Sequence, residues 1–385
     1  MTLRGLHLLP VAMFFGTFAW SFVYVSLPFH IQTISTVDAG ATLRWTGWIL
    51  GISPLVTVVT APIWGHYAER GNPKAMYVTV EMLQGLTFFG MALAQTLSEL
   101  FLARLVLGIM GGASTFAFIM AGRETETTAV RRRVAAVQSA MTVGQVIGPL
   151  AGAIAAAQLG FRTSFMLGGL ILLGCSGLVR WGVPPVPPAP RQRDREGAAR
   201  PRDVAAVALI VLGGNVQVFF LTAILPVVLP DLGVAPARTL EIGGMLIFAS
   251  GVAAALGALA APRLGEWMSE RMLIVTLLAA SSVLVAGLAS VASVWLYGVL
   301  RFLQVLCVAP VFPIVVARIA QRAGGQAIGF INSARIGAAF VGPVVATTAL
   351  TWDSPAALYL LLAAIGLVCL PATAVRGAVA GPRAL

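Results

Sequence analysis

Apolar residues fall along the chain in twelve runs of about twenty, separated by short stretches where charge, proline and glycine gather. Crossing ~30 Å of hydrocarbon takes roughly 20 helical residues at 1.5 Å each, so every run has the length of a membrane-spanning helix. The pattern predicts spans over residues 6–29, 45–65, 75–95, 98–121, 135–157, 164–182, 204–229, 241–262, 272–292, 294–317, 327–350 and 356–375. The first run is too long for the core of a signal peptide and has no A-x-A cleavage site, so it is read as a retained span.

Composition agrees with that pattern. The 385 residues are 58% hydrophobic and 10% charged, with a mean hydropathy of +0.92. A soluble domain carries about 25% charged residues, so no length is left for one. The formal charge of +11 would suggest nucleic acid in a soluble protein, but here its placement matters more than its size. With the N-terminus in the cytoplasm, nineteen of the 25 basic residues lie on the cytoplasmic side. Only Arg44, Arg162 and Arg238 lie in outer loops, while Arg104, Arg301 and Arg335 lie inside spans. The positive-inside rule then places both termini in the cytoplasm of the cell (inner) membrane, with membrane lipid and not nucleic acid as the surrounding partner. Cys175, Cys307 and Cys369 sit in apolar helices as packing residues, and neither a metal site nor a cofactor is expected.

The chain reads as two related halves. Gly16-Thr17 with Leu27-Pro28 matches Gly214-Asn215 with Leu225-Pro226, and Ala61 to Tyr67 matches Ala261 to Trp267 without a gap. Arg104 matches Arg301, and Gln138-Ser139 with Gly148-Pro149 matches Asn332-Ser333 with Gly342-Pro343. The offsets are 198, 200, 197 and 194. The expected fold is an all-α membrane protein of twelve transmembrane helices in two pseudo-symmetric six-helix bundles. One bundle covers residues 1–182 and the other 204–385, joined by a cytoplasmic linker rich in proline and arginine at 183–203. Parallel repeats of this kind work by alternating access.

Three motifs carry chemistry. Gly65-His66-Tyr67-Ala68-Glu69-Arg70-Gly71-Asn72-Pro73-Lys74 follows the second span. There a glycine permits close helix approach, and Glu69, Arg70 and Lys74 can form a charge cluster that latches the cytoplasmic side. Arg104 begins Arg104-Leu105-Val106-Leu107-Gly108 in the fourth span, at a depth where a charge should face a cavity. The fifth span holds Gly144-Gln145-Val146-Ile147-Gly148-Pro149-Leu150-Ala151-Gly152-Ala153, where small residues allow tight packing and Pro149 bends the helix into a hinge or seal.

Together these segments resemble the major facilitator superfamily over nearly the whole chain, and its twelve-span drug:proton antiporter branch in the fifth span. Tyr67, Glu69, Asn72-Pro73, Ala135 and Ala153 depart from the usual motif residues. The resemblance implies a secondary active transporter, and not an enzyme, that exports a drug-like or amphiphilic small molecule against protons, as a monomer. Proton-coupled import and a non-transporting receptor stay open as alternatives. The resemblance also implies that spans one, four, seven and ten line the cavity. Candidate substrate contacts are therefore Trp20, Tyr24, Arg104, Asn215, Gln217, Phe220, Arg301 and Gln304, with Asn332 and Arg335 from the eleventh span.

Glu81 is the one acidic residue well inside a predicted span, and with Arg104 it is the candidate for proton coupling. Three arginines against one glutamate within the spans point to a neutral, zwitterionic or anionic substrate rather than an organic cation.

Overall fold

The computed structural model describes residues 7–122, 127–184, 200–320 and 325–374. The expected linker centre at 185–199 and the side chains of Glu69 and Arg70 lie outside the described residues. Among those described every element is helical, and twelve helical segments are long and apolar enough to cross a membrane. They are Leu8–Ile34, Ala39–Ala68, Pro73–Leu93, Leu97–Ala121, Thr128–Leu159, Phe161–Gly182, Pro201–Asp231, Pro236–Leu264, Glu270–Ser290, Val294–Val315, Phe330–Trp352 and Pro355–Ala374. The chain divides into two compact units. The first holds Met1–Gln192 and Leu240–Phe248, and the second holds Arg193–Thr239 and Ala249–Leu385.

The spans follow a rhythm of three that the hydrophobic pattern did not reveal. The first, fourth, seventh and tenth are each broken in two: Leu8–Tyr24 and Leu27–Ile34, Leu97–Ile109 and Ala113–Ala121, Pro201–Phe219 and Leu221–Asp231, Val294–Val308 and Val311–Ala320. Breakers explain three of the four interruptions: Pro28 enters the second piece of the first span, Gly111-Gly112 separates the pieces of the fourth, and Pro310 those of the tenth. The longest unbroken helices belong to the second, fifth, eighth and eleventh spans, at 32, 33, 29 and 28 residues. At 1.5 Å per residue the helix Ala39–Arg70 is about 48 Å long, well beyond the hydrocarbon.

That length corrects one expectation. Gly65 to Arg70 form the last turns of the second-span helix and not a loop, since the helix runs on through Pro54 and Pro62 and ends only at Gly71-Asn72-Pro73. Asn72 then starts the third span as its N-cap, accepting from the backbone N–H groups of Lys74 and Ala75. Gly65 does not mediate close approach: a Cβ built on it would meet nothing within 4 Å.

The fifth span packs on the first as its glycines suggest. A Cβ on Gly144 would strike the Phe14 carbonyl, and one on Gly148 would come within 2.7 Å of the Ser21 side chain. One on Gly152 would overlap the carbonyl oxygen of Phe22. The second unit repeats the device, where a Cβ on Gly342 would sit 3.2 Å from the Phe220 nitrogen.

Candidate functional site

A break in a buried helix frees backbone carbonyls that hydrocarbon cannot satisfy, so partners must come from neighbouring side chains. In the fourth span they come chiefly from the second, at positions spaced along one face. Ser53 Oγ donates to the Arg104 carbonyl, and Thr57 Oγ1 and Thr60 Oγ1 each donate to Gly108 O at 3.1 Å. Trp64 Nε1 donates to Ile109 O at 2.6 Å. From the third span, Gln84 Nε2 donates to Met110 O at 2.5 Å, and its Oε1 accepts from Trp20 Nε1 of the first span at 3.0 Å.

Arg104 returns the favour to the second span. Its Nε donates to Ile49 O and its Nη2 to Leu50 O, both at 3.1 Å. Pro54 lies inside that helix and has no N–H to offer the carbonyl four residues earlier, which is that of Leu50. The guanidinium supplies the missing bond. It also lies 5.7 Å from the Trp20 ring and 5.5 Å from the Tyr24 ring, and Arg104 is only 2% exposed. The expectation of a cavity-facing arginine is therefore corrected at this position: the side chain braces two helices.

Arg301 behaves alike in the second unit. Nη1 donates to Gln217 O and Gln304 Oε1, and Nη2 to Val218 O, at the carbonyl end of the helix that stops at Phe219. The Phe220 ring lies 4.9 Å from the guanidinium carbon. Gln304 Nε2 donates to Ser281 Oγ, Ser281 Oγ to Gln217 Oε1, and Gln217 Nε2 to Ser282 Oγ and Leu362 O. Gln217, Phe220, Arg301 and Gln304 are thus buried in a network joining the seventh, ninth, tenth and twelfth spans, not arrayed along an open wall. Asn215 is half-buried and donates to Val211 O within its own helix.

The first unit holds a cavity of about 230 Å³ among its first, second, third, fourth and fifth spans. Met13, Trp20 and Met141 give it apolar surface, Thr17, Thr57 and Gln145 give it neutral polar groups, and Glu81 gives it its one charge. Glu81 belongs to the third span and is 2% exposed. Its Oε1 accepts from the Tyr77 hydroxyl at 3.4 Å. Gly16 makes room for it, since a Cβ there would lie 2.6 Å from the same oxygen. Among the described residues no arginine or lysine lines the cavity.

The cavity therefore brings together Trp20 and Glu81 from the sequence candidates and leaves Arg104 and Arg301 outside its wall. Sequence reasoning passed over Gln84, though it stands one turn from Glu81 and is as polar as the amides singled out elsewhere. Lys74 is half-buried at the start of the third span.

Broken spans at every third position, a repeat of the same packing glycine in both units, and a carboxyl-bearing cavity in one of them set the geometry beside known proteins. The Major Facilitator Superfamily model matches residues 11–280. The chain belongs to the major facilitator superfamily. It is accordingly a multi-pass secondary transporter of small molecules and not an enzyme. It is 26% identical over 337 residues to the multidrug resistance protein MdtG of Citrobacter koseri, covering 86% of this chain and 83% of that one. It is 23% identical over 347 residues to the uncharacterized MFS-type transporter YuxJ of Bacillus subtilis, covering 87% and 88%. Solved structures share the fold: the human organic anion transporter MFSD10 at a TM-score of 0.72 and 15% identity, covering 96% of this chain and 99% of that one. The nucleoside transporter NupG matches at a TM-score of 0.76 and 12% identity, covering 97% and 98%.

Proposed function

We propose that this facilitator exports a drug-like amphiphile in exchange for protons, and that Glu81 carries the proton. Its two halves, residues 1–182 and 204–385, alternate access across the cell (inner) membrane as a monomer. The linker at 183–203 and both termini face the cytoplasm. The observation that carries this reading is the lone carboxyl on the wall of the first-unit cavity. A carboxyl that binds and releases a proton in each cycle needs a route to water and no fixed cation to hold it ionised. Glu81 has the cavity beside it and only a tyrosine hydroxyl, at 3.4 Å, as its partner among the described residues. Met13, Trp20 and Met141 offer the apolar surface that an amphiphile's body requires.

Export, rather than import, is supported by the multidrug resistance proteins among the relatives and by the Gly144, Gly148, Pro149 and Gly152 segment. Those glycines let the fifth span ride on the first with backbone against backbone, a contact able to slide or seal. Glu69, Arg70 and Lys74 serve as the cytoplasmic latch, without a part for Gly65. Arg104 supports coupling through the helices it braces.

The test is flux of the uncharged amphiphile N-phenyl-1-naphthylamine in proteoliposomes with an imposed pH gradient. Wild-type protein should move it against the direction of proton flow, and Glu81→Gln should bind it while losing the gradient-driven movement. Substrate travelling in the same direction as protons would overturn export, and full gradient-driven flux in Glu81→Gln would overturn the role of Glu81.

A further inference from the structure

Among the described residues, Arg104 and Arg301 have their guanidinium groups bonded to backbone carbonyls of other helices, and Arg335 does not. Arg335, in the eleventh-span helix Gly325–Trp352, donates from Nε to Asn332 Oδ1 at 3.3 Å, one turn back on the same face. The Phe312 ring of the broken tenth span lies 5.1 Å from its guanidinium carbon. Among the described residues neither terminal nitrogen has a hydrogen-bond partner, and the residue is half-buried. An amide that fixes Nε and a ring that backs the plane leave the two-nitrogen fork open and oriented. That fork matches the paired oxygens of a carboxylate, sulfonate or phosphate.

The repeat indicates which face of the second unit this is. Gln138 and Gly148 pair with Asn332 and Gly342 at the same offset of 194, so Arg335 stands where the first half has Met141. Met141 lines the first-unit cavity beside Thr17, whose hydroxyl donates to the Met141 carbonyl at 3.1 Å. Thr17 in turn pairs with Asn215 of the second half. Arg335 therefore projects from the helix face that, in the other half, forms a cavity wall.

We infer that Arg335 is the anchor for an oxyanion on the transported amphiphile, a carboxylate or sulfonate joined to an apolar body, with Asn332 and Phe312 as its positioning residues. This rests on the exporter reading for the word amphiphile alone. It also narrows the argument from net charge, since among the described residues Arg335 alone of Arg104, Arg301 and Arg335 makes no bond to a backbone carbonyl.

A lipid headgroup phosphate presents the same chemistry, and the experiment separates the two sources. Full-length protein in phosphatidylcholine nanodiscs is titrated with 8-anilinonaphthalene-1-sulfonate and with N-phenyl-1-naphthylamine, which shares its ring system and lacks the sulfonate. Binding is corrected with protein-free discs. Wild-type protein should hold the sulfonate roughly ten-fold more tightly than the uncharged probe, the scale of a bidentate charge-assisted pair. Arg335→Gln should bring that ratio to about one with affinity for the uncharged probe unchanged, which also reports an intact fold. Arg335→Lys should fall between, having the charge without the fork. A wild-type ratio near one, or a ratio that survives Arg335→Gln, overturns the assignment. Displacement of the sulfonate probe by added phosphatidylglycerol overturns it too, by giving the fork to lipid. If the ratio holds and falls as stated while a pH gradient drives no export of either probe, the site stands and the exporter reading fails.

Discussion

Pro54 and Arg104 lie 50 positions apart, yet each accounts for the other. The proline leaves the Leu50 carbonyl without its helical donor, and the arginine supplies one at 3.1 Å. An unsatisfied buried carbonyl costs about 1–3 kcal/mol, so Arg104→Met, which orphans the Leu50 carbonyl and removes a second donor from that of Ile49, should lower thermal stability. Adding Pro54→Ala restores a backbone N–H for Leu50 and should recover part of the loss. Thermal unfolding of the single and double variants in one detergent would check this, and strict additivity would refute the coupling. Gly16 makes a second residue-scale prediction. Gly16→Ala sets a methyl 2.6 Å from Glu81 Oε1, so the carboxyl must move. The pH at which transport is half-maximal should then shift, with Gly16→Ala protein still folded by its elution profile. Glu81, Arg104 and Arg301 were legible as buried charges in apolar runs. Their partners were not, because a side chain bonding to a backbone carbonyl on another helix leaves no pattern along the sequence.

Helices of one unit meet where glycines remove the space between backbones, and the fifth span shows how finely. A methyl on Gly152 would overlap the Phe22 carbonyl, whereas one on Gly65 would meet nothing. Overpacking typically costs about 1–3 kcal/mol. Gly152→Ala should therefore destabilise the protein by that order in a thermal scan, while Gly65→Ala leaves the midpoint within error. Both glycines belong to segments that sequence analysis singled out, and only their three-dimensional surroundings tell them apart. The breaks in the first, fourth, seventh and tenth spans were invisible for a related reason. Interrupted helices are still apolar throughout, so hydropathy runs across the gap, and Gly111-Gly112 or Pro310 alone does not fix where the pieces end. The long second and fifth helices continue beyond their apolar runs, over His66, Glu69 and Arg70 in one and Arg131, Arg132 and Arg133 in the other, residues too polar to be counted as span.

At the scale of the molecule, twelve spans were legible because each apolar run must cross ~30 Å, and the sidedness of the arginines predicts which way they run. Sidedness is directly testable. In intact cells a membrane-impermeant maleimide should label Val37→Cys, which is 46% exposed between the first two spans. Arg200→Cys should react only after permeabilisation. Cys175 and Cys369 are buried and should stay silent in both conditions. Labelling of Arg200→Cys from outside would invert the topology.

The debt between Pro54 and Arg104 runs one way in time. A lineage can lose the proline first, since Leu50 regains its own donor and the arginine keeps the Ile49 carbonyl. It cannot lose the arginine first without leaving a carbonyl stranded in hydrocarbon. Among descendants of a common ancestor, chains with the arginine and no proline should therefore be found, and chains with the proline and no donor at position 104 should be rare.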